Sequence, residues 1–250
     1  MNLAHIIDGH DDDSVALIWR NRVTTYGELR SQVAAFRGGL AASGIGADDR
    51  VAIVVGNSPH FVIAYLATIG LGAVAVPLNP ASPGPELQSE LAVVGARAVV
   101  VDNLGAVNWS HVDRTAVPSI EMVVLTDPAG GATDDVVAFD DLLAAAPAEV
   151  VDVDSAKVAV LMFTSGTAGS PRAAMLTHGN LQANLDQSRS AQGHISADDV
   201  IYGVLPLFHI FGLNVVLGLG LCVGATIVLV QRFDPATAVQ SIRDRGVTVI

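Results

Sequence analysis

One stretch of the chain concentrates residue types that handle anions. Thr164-Ser165-Gly166-Thr167-Ala168-Gly169-Ser170-Pro171-Arg172 holds four hydroxyl side chains and two glycines in nine residues. It follows directly on an apolar run of strand length, residues 158–163. Glycine lets backbone approach a ligand closely, successive N–H groups form a nest for anions, and hydroxyls add further donors. Arg172 contributes a guanidinium whose fork matches two phosphate oxygens. Such a segment suits the tail of a polyphosphate. Composition alone fits a flexible linker about as well, since Gly, Ser and Thr also make linkers. The common P-loop is excluded, because its Gly-x-x-x-x-Gly-Lys-Ser/Thr spacing is absent.

A second stretch, Leu205-Pro206-Leu207-Phe208-His209-Ile210-Phe211-Gly212, sets one histidine among apolar and aromatic residues. By residue type alone, His209 reads as a core histidine at a strand-to-helix corner. His178 reads as structural, at the start of a helix, and Asp11 to Asp13 as a solvated run.

The order of residues in the first stretch resembles the phosphate-binding signature of the adenylate-forming superfamily, Tyr/Phe-Thr-Ser-Gly-Thr-Thr-Gly-x-Pro-Lys-Gly. Phe163 through Gly169 match it except for Ala168, and Pro171 matches after one free position. His178 and Asn180 stand where members often carry Thr-His-x-Asn. Arg172 replaces the signature lysine and Ala173 the glycine after it. Further similar blocks run from Val23 to Leu29, from Asp49 to Ser58 and from Gly72 to Asn79. The resemblance thus covers nearly the whole chain.

The resemblance implies an ATP-dependent ligase. A carboxylic acid would become an acyl-adenylate, and a thiol, usually coenzyme A, would then displace AMP. It assigns Thr164, Ser165, Gly166, Thr167, Ala168 and Gly169 to the nucleotide phosphates, and Arg172 to a phosphate contact. Thr167 would meet Mg2+ only indirectly, through the ATP that carries it. In the acyl-CoA synthetases of this superfamily the segment around His209 lines the acyl pocket near the thiol path, so His209 is expected there rather than in the core. Relatives that activate amino acids place an aspartate early in that region, and none lies between Tyr202 and Gly212. A fatty or other hydrophobic acid is the expected substrate. The alternatives are transfer of the acyl group to a carrier protein and a non-catalytic nucleotide- or acyl-binding homologue. The chain ends in a strand-like run, Gly246 to Ile250, and its single lysine, Lys157, precedes the phosphate loop. The expectation is an N-terminal portion that lacks the C-terminal lid and is inactive in adenylation by itself.

Alternating elements must position both stretches. Thr25 and Glu28 have capping-box spacing, and Leu29, Val33, Phe36 and Leu40 then mark one helix face. Strands are expected at 50–55, 74–78, 98–101, 122–125, 158–163 and 200–205. Helices are expected at 60–71, 86–94, from near Asn180, and at 234–245. Strands that are apolar throughout suit parallel sheets covered on both faces, so the fold class is α/β with two mainly parallel sheets. The Ala-, Asp- and Gly-rich stretch 128–154 suggests lobes at 1–150 and 151–250, the second carrying the phosphate loop.

Composition bounds what remains. Hydrophobic residues make up 51% and charged residues 15%, enough to bury a core. The net charge of −12 excludes a nucleic-acid surface, which depends on Lys and Arg neutralising phosphates. One cysteine, Cys222, rules out an internal disulfide and fits a cytoplasmic setting. Residues 212–230 carry no charge over 19 positions, close to a membrane span, but Asn214 and four glycines favour a buried helix followed by a strand. The partners that the resemblance implies are small molecules: ATP, a hydrophobic acid and coenzyme A. Peripheral membrane contact and oligomeric state stay open.

Overall fold

The fold was analysed in a computed structural model that describes residues 1–128, 135–164, 171–190 and 195–250. The chain opens with a 3-10 turn, Leu3–Ile7, and a hairpin of β1 (Val15–Trp19) and β2 (Arg22–Thr25). Next come α1 (Tyr26–Ala42), β3 (Arg50–Val54), α2 (Pro59–Gly70), β4 (Val74–Pro77), α3 (Gly84–Val94) and β5 (Ala98–Val101). They are followed by α4 (Asn103–Trp109), β6 (Met122–Leu125), β7 (Val136–Ala138) and α5 (Phe139–Leu143). The remaining elements are β8 (Val158–Thr164), β9 (Arg172–Thr177), α6 (His178–Ser190) and β10 (Val200–Gly203). A π-helical segment (Phe211–Leu219) runs into α7 (Gly220–Val223), followed by β11 (Thr226–Leu229) and α8 (Pro235–Asp244).

Two sheets result among the described residues. The larger has seven strands in the order β7-β6-β5-β3-β4-β8-β9, the smaller four in the order β10-β11-β1-β2. Every pairing is parallel except β1 with β2 and β8 with β9. The expected α/β class with two mainly parallel sheets is therefore the fold. Sheet membership does not follow a boundary at residue 150. β8 joins the larger sheet beside β4, and β1 enters the smaller sheet beside β11.

The apolar strands are buried on both faces, as their sequence implied. In β3, Val51 and Ile53 pack with Phe36, Phe61 and Phe139, while Ala52 and Val54 pack on the opposite side with Leu87 and Leu91 of α3. Removing a side chain such as Ile53 from water contributes about 2–3 kcal/mol. Local signals close the helix ends. Thr25 accepts from the Glu28 amide at 3.2 Å and Glu28 accepts from the Thr25 amide at 3.0 Å, the reciprocal cap expected for α1. The same exchange recurs at the start of α6, between Thr177 and Asn180 at 3.0 and 3.2 Å.

Two local expectations need correction, whereas the helix expected near Asn180 starts at His178, as read, with Thr177 as its cap. Thr164 and Arg172 are not loop residues; they are cross-strand partners ending β8 and beginning β9. The apolar segment after His209 is π-helical before it becomes α-helical. No helix among the described residues is long and apolar enough to cross a membrane.

Candidate active site

The edge of the larger sheet carries the first candidate stretch. β8 and β9 pair antiparallel from Val158↔Thr177 to Thr164↔Arg172, so the hydroxyl of one strand end stands beside the cation of the other. Both residues are exposed. Ser165, Gly166, Thr167, Ala168 and Gly169 lie outside the described residues. Ala173, which replaces the signature glycine, pairs with Phe163 and is half-buried against the face of the sheet covered by α3. Its methyl group is taken up by sheet packing.

His209 is exposed rather than sunk in the core, and it lines the same cavity as Thr164. The cavity has a volume of about 370 Å³. One wall is the end of β8, with Phe163 and Thr164; another is the Phe208–Ile210 corner; the third follows β4 with Asn79 and Ser82 and continues along α3 with Glu86 and Glu90. Arg172 does not line it.

The corner is held from the backbone outward. The His209 amide donates to the Pro206 carbonyl at 3.1 Å, and the Leu213 amide to the His209 carbonyl at 2.9 Å. The Phe211 amide donates to His209 Nδ1 at 3.4 Å, which in a neutral ring leaves the hydrogen on Nε2. Gly212 permits the turn, since a Cβ there would fall 2.1 Å from the Pro206 carbonyl oxygen. A π-helical segment immediately after such a corner is a feature common at functional sites.

Asn57 fixes the corner to the larger sheet. Its amide donates to the carbonyls of Gly203 at 3.1 Å and Leu205 at 2.9 Å, and its carbonyl accepts from the Leu207 amide at 3.0 Å. The residue before it is anchored in turn, the Gly56 amide donating to Asp102 at 2.9 Å. Asp102 also caps α4, accepting from Gly105 at 2.9 Å. Sequence reading took Asn57 only as part of a packing block; no periodic or motif signal marks it as the clamp of a segment nearly 150 residues away.

Glu90 was missed as well. Leu87, Leu91 and Val94 form the buried line of α3, and Glu90 sits within it, 9% exposed. Its Oε2 has no hydrogen-bond partner among the described residues. Burial first, and the neighbouring Glu86 second, raise its carboxyl to about 7. A carboxylate inside an apolar i, i+4 line was the available signal. Glu86 is engaged by the Ser82 hydroxyl at 3.3 Å. His178 is buried, as a structural residue should be, with its Nδ1 accepting from the Leu3 amide at 3.0 Å.

The geometry is matched by family likeness. The model of the AMP-binding enzyme family covers residues 4–250. The 4-coumarate–CoA ligase 3 of Oryza sativa subsp. japonica is 34% identical over 98% of this chain, which corresponds to 42% of that protein. The chain thus spans less than half the length of this curated relative. A crystal structure of an anthranilate CoA ligase in complex with anthranoyl-AMP superposes with a TM-score of 0.89 at 22% identity, over 98% of this chain and 48% of the other. A long-chain-fatty-acid–CoA ligase from Archaeoglobus fulgidus gives 0.86 at 24% identity, over 99% and 50%. With a family model spanning almost all of its residues, and the signature at 163–171 ending the strand that lines the cavity, this chain belongs to the AMP-binding family of adenylate-forming enzymes.

Proposed function

We propose that the protein to which this chain contributes is an acyl-CoA synthetase: it activates a hydrophobic carboxylic acid with ATP and passes the acyl group to coenzyme A. The observation that carries the reading is that Thr164, inside the signature at the end of β8, lines the same cavity as His209, with Arg172 as its cross-strand partner. Family membership and the CoA-ligase relatives support it.

The chemistry divides between the two stretches. An oxygen of the acid attacks the α-phosphorus, the bond to the β-phosphate oxygen breaks, and pyrophosphate leaves. A thiol then attacks the acyl carbonyl and AMP departs. In the first step the protein's task is orientation and stabilisation of charge on phosphate oxygens. Thr164, Ser165, Thr167 and the amides of Gly166, Ala168 and Gly169 would hold the β- and γ-phosphates and the departing pyrophosphate, with Arg172 as a flanking cation. Local donors are required because the net charge of −12 repels an anion at long range. Among the described residues no three His, Cys, Asp or Glu side chains gather as a metal cage. Mg2+ in this reading arrives with the triphosphate, in keeping with an ion that holds several waters and few protein ligands.

The acid would enter the cavity at Phe163, Phe208 and His209, whose apolar walls suit a hydrocarbon body. The names of the relatives bring both aromatic and long-chain acids into play. The test is pyrophosphate exchange into ATP by the full-length protein with 4-coumarate, anthranilate and a long-chain fatty acid in separate reactions. Acid-dependent exchange, followed by thioester formation on adding coenzyme A, is expected. Exchange that no acid stimulates refutes the reading.

A further inference from the structure

The acidic wall of the His209 cavity has no role in the chemistry above. Glu86 and Glu90 stand one turn apart on α3, and both line the cavity. Glu86 is engaged by Ser82, whereas among the described residues Glu90 has no hydrogen-bond partner and its buried Oε2 is orphaned. Helix packing offers no reason for a carboxyl there, since leucine would continue the Leu87, Leu91 and Val94 line. A buried acceptor without a donor destabilises the free protein, and that cost is removed when a donor arrives. Such a position is therefore poised for a ligand group. A phosphate or a second carboxylate would be repelled by the two acids, which fixes the sign of what fits.

We propose that Glu90, backed by Glu86, is an acceptor subsite for a hydrogen-bond-donating group, an O–H or N–H, on the ligand that occupies this cavity. The ligand's identity rests on the ligase reading, and two of its substrates carry such donors. One source is a hydroxyl or amine on the acid, remote from its reacting carboxylate. The other is an amide N–H along the arm of coenzyme A. In either case Glu90 touches the ligand directly, and a ligand without the donor leaves the carboxyl unpaired. Sites built on buried polar groups reject analogues that lack the matching partner far more strongly than apolar pockets reject a missing methylene.

The experiment measures binding to the full-length protein by calorimetry, with wild type, Glu90→Gln and Glu90→Leu. The probes are 4-coumarate, cinnamate as its counterpart without the hydroxyl, and coenzyme A. If the acid is the source, 4-coumarate binds wild type about 10-fold or more tightly than cinnamate, and Glu90→Leu removes that preference while leaving cinnamate unchanged or tighter. If the thiol is the source, the acids do not discriminate and Glu90→Leu weakens coenzyme A by about 10-fold. Glu90→Gln, which keeps a carbonyl acceptor, retains part of the effect in either case. Equal affinity of all three proteins for every probe overturns the subsite. So does failure of every probe to bind, a result that leaves the ligase reading to the exchange assay.

Discussion

Asn57→Leu is the substitution that most directly tests whether the corner carrying His209 is held by a backbone clamp. The change keeps the branching and heavy-atom count of asparagine, with bulkier methyl ends, but removes two donors and one acceptor from a site that is 4% exposed. The three bonds are not equivalent. The Gly203 carbonyl also accepts from the Val230 amide at 3.1 Å and stays satisfied. Leu205 is 40% exposed, so its carbonyl can turn to water. The Leu207 amide is buried, its side chain is wholly buried, and Asn57 is its partner. Orphaning that one amide costs about 1–3 kcal/mol, and the net loss of the other two bonds adds about 1 kcal/mol. A total of ~3 kcal/mol is a large part of the 5–15 kcal/mol that holds a typical domain folded. For a chain of this size it lowers Tm by about 6–12 °C. Urea unfolding with an unchanged slope would give the energy, and hydrogen exchange at the Leu207 amide would give the cause. A loss below ~1 kcal/mol with Leu207 still protected refutes the clamp.

Four further outcomes follow from the same geometry. Gly212→Ala must push the corner away from the Pro206 carbonyl, costing ~2 kcal/mol or more in urea unfolding, and an unchanged midpoint would mean the contact relaxes freely. Arg172→Ala in the full-length protein should lower pyrophosphate exchange by ~10-fold or more with Tm unaltered, because the side chain is exposed and its task is charge stabilisation. Burial, and secondarily the N-terminal ammonium, depress His178 to about 4, so the unfolded chain takes up the proton first; stability is full above about 6.5 and falls by up to ~3 kcal/mol towards pH 4, a fall that His178→Gln should flatten in urea midpoints. Glu90→Leu should raise Tm at pH 7.5, where the wild-type carboxyl is ionised at an energetic cost, and a drop in Tm would show that Glu90 supports the fold.

Most of the fold was legible because it is written in continuous apolar runs. β3, β4, β5, β6 and β8 fall within a residue or so of their expected limits, since strands covered on both faces admit no polar interruption. β1, β2, β7 and β9 were not foreseen. β1 is a five-residue apolar run set between charged and polar residues, β7 spans three residues, and β9 is an edge strand with Met175 70% exposed, so it shows no buried period. Sheet membership was illegible for a different reason. Pairing of β1 with β11 and of β4 with β8 is long-range, and composition along the chain carries no trace of it. At the site, Thr164, Arg172 and His209 were found through type and order. Asn57 and Glu90 were not, because a clamp and an orphaned carboxyl become visible only once distant elements are in contact.

The charges fixed in the cavity wall are of one sign. β8 delivers Thr164, a neutral hydroxyl whose cross-strand partner Arg172 lies outside the cavity, while α3 presents Glu86 and Glu90. At short range in a partly desolvated space such charges far outweigh the diffuse field of the whole chain. On the proposed reading a ligand that carries a donor is drawn to the α3 wall, whereas a ligand that is anionic throughout is opposed there. Alignment of this kind supplies orientation without new contacts at the reacting atoms.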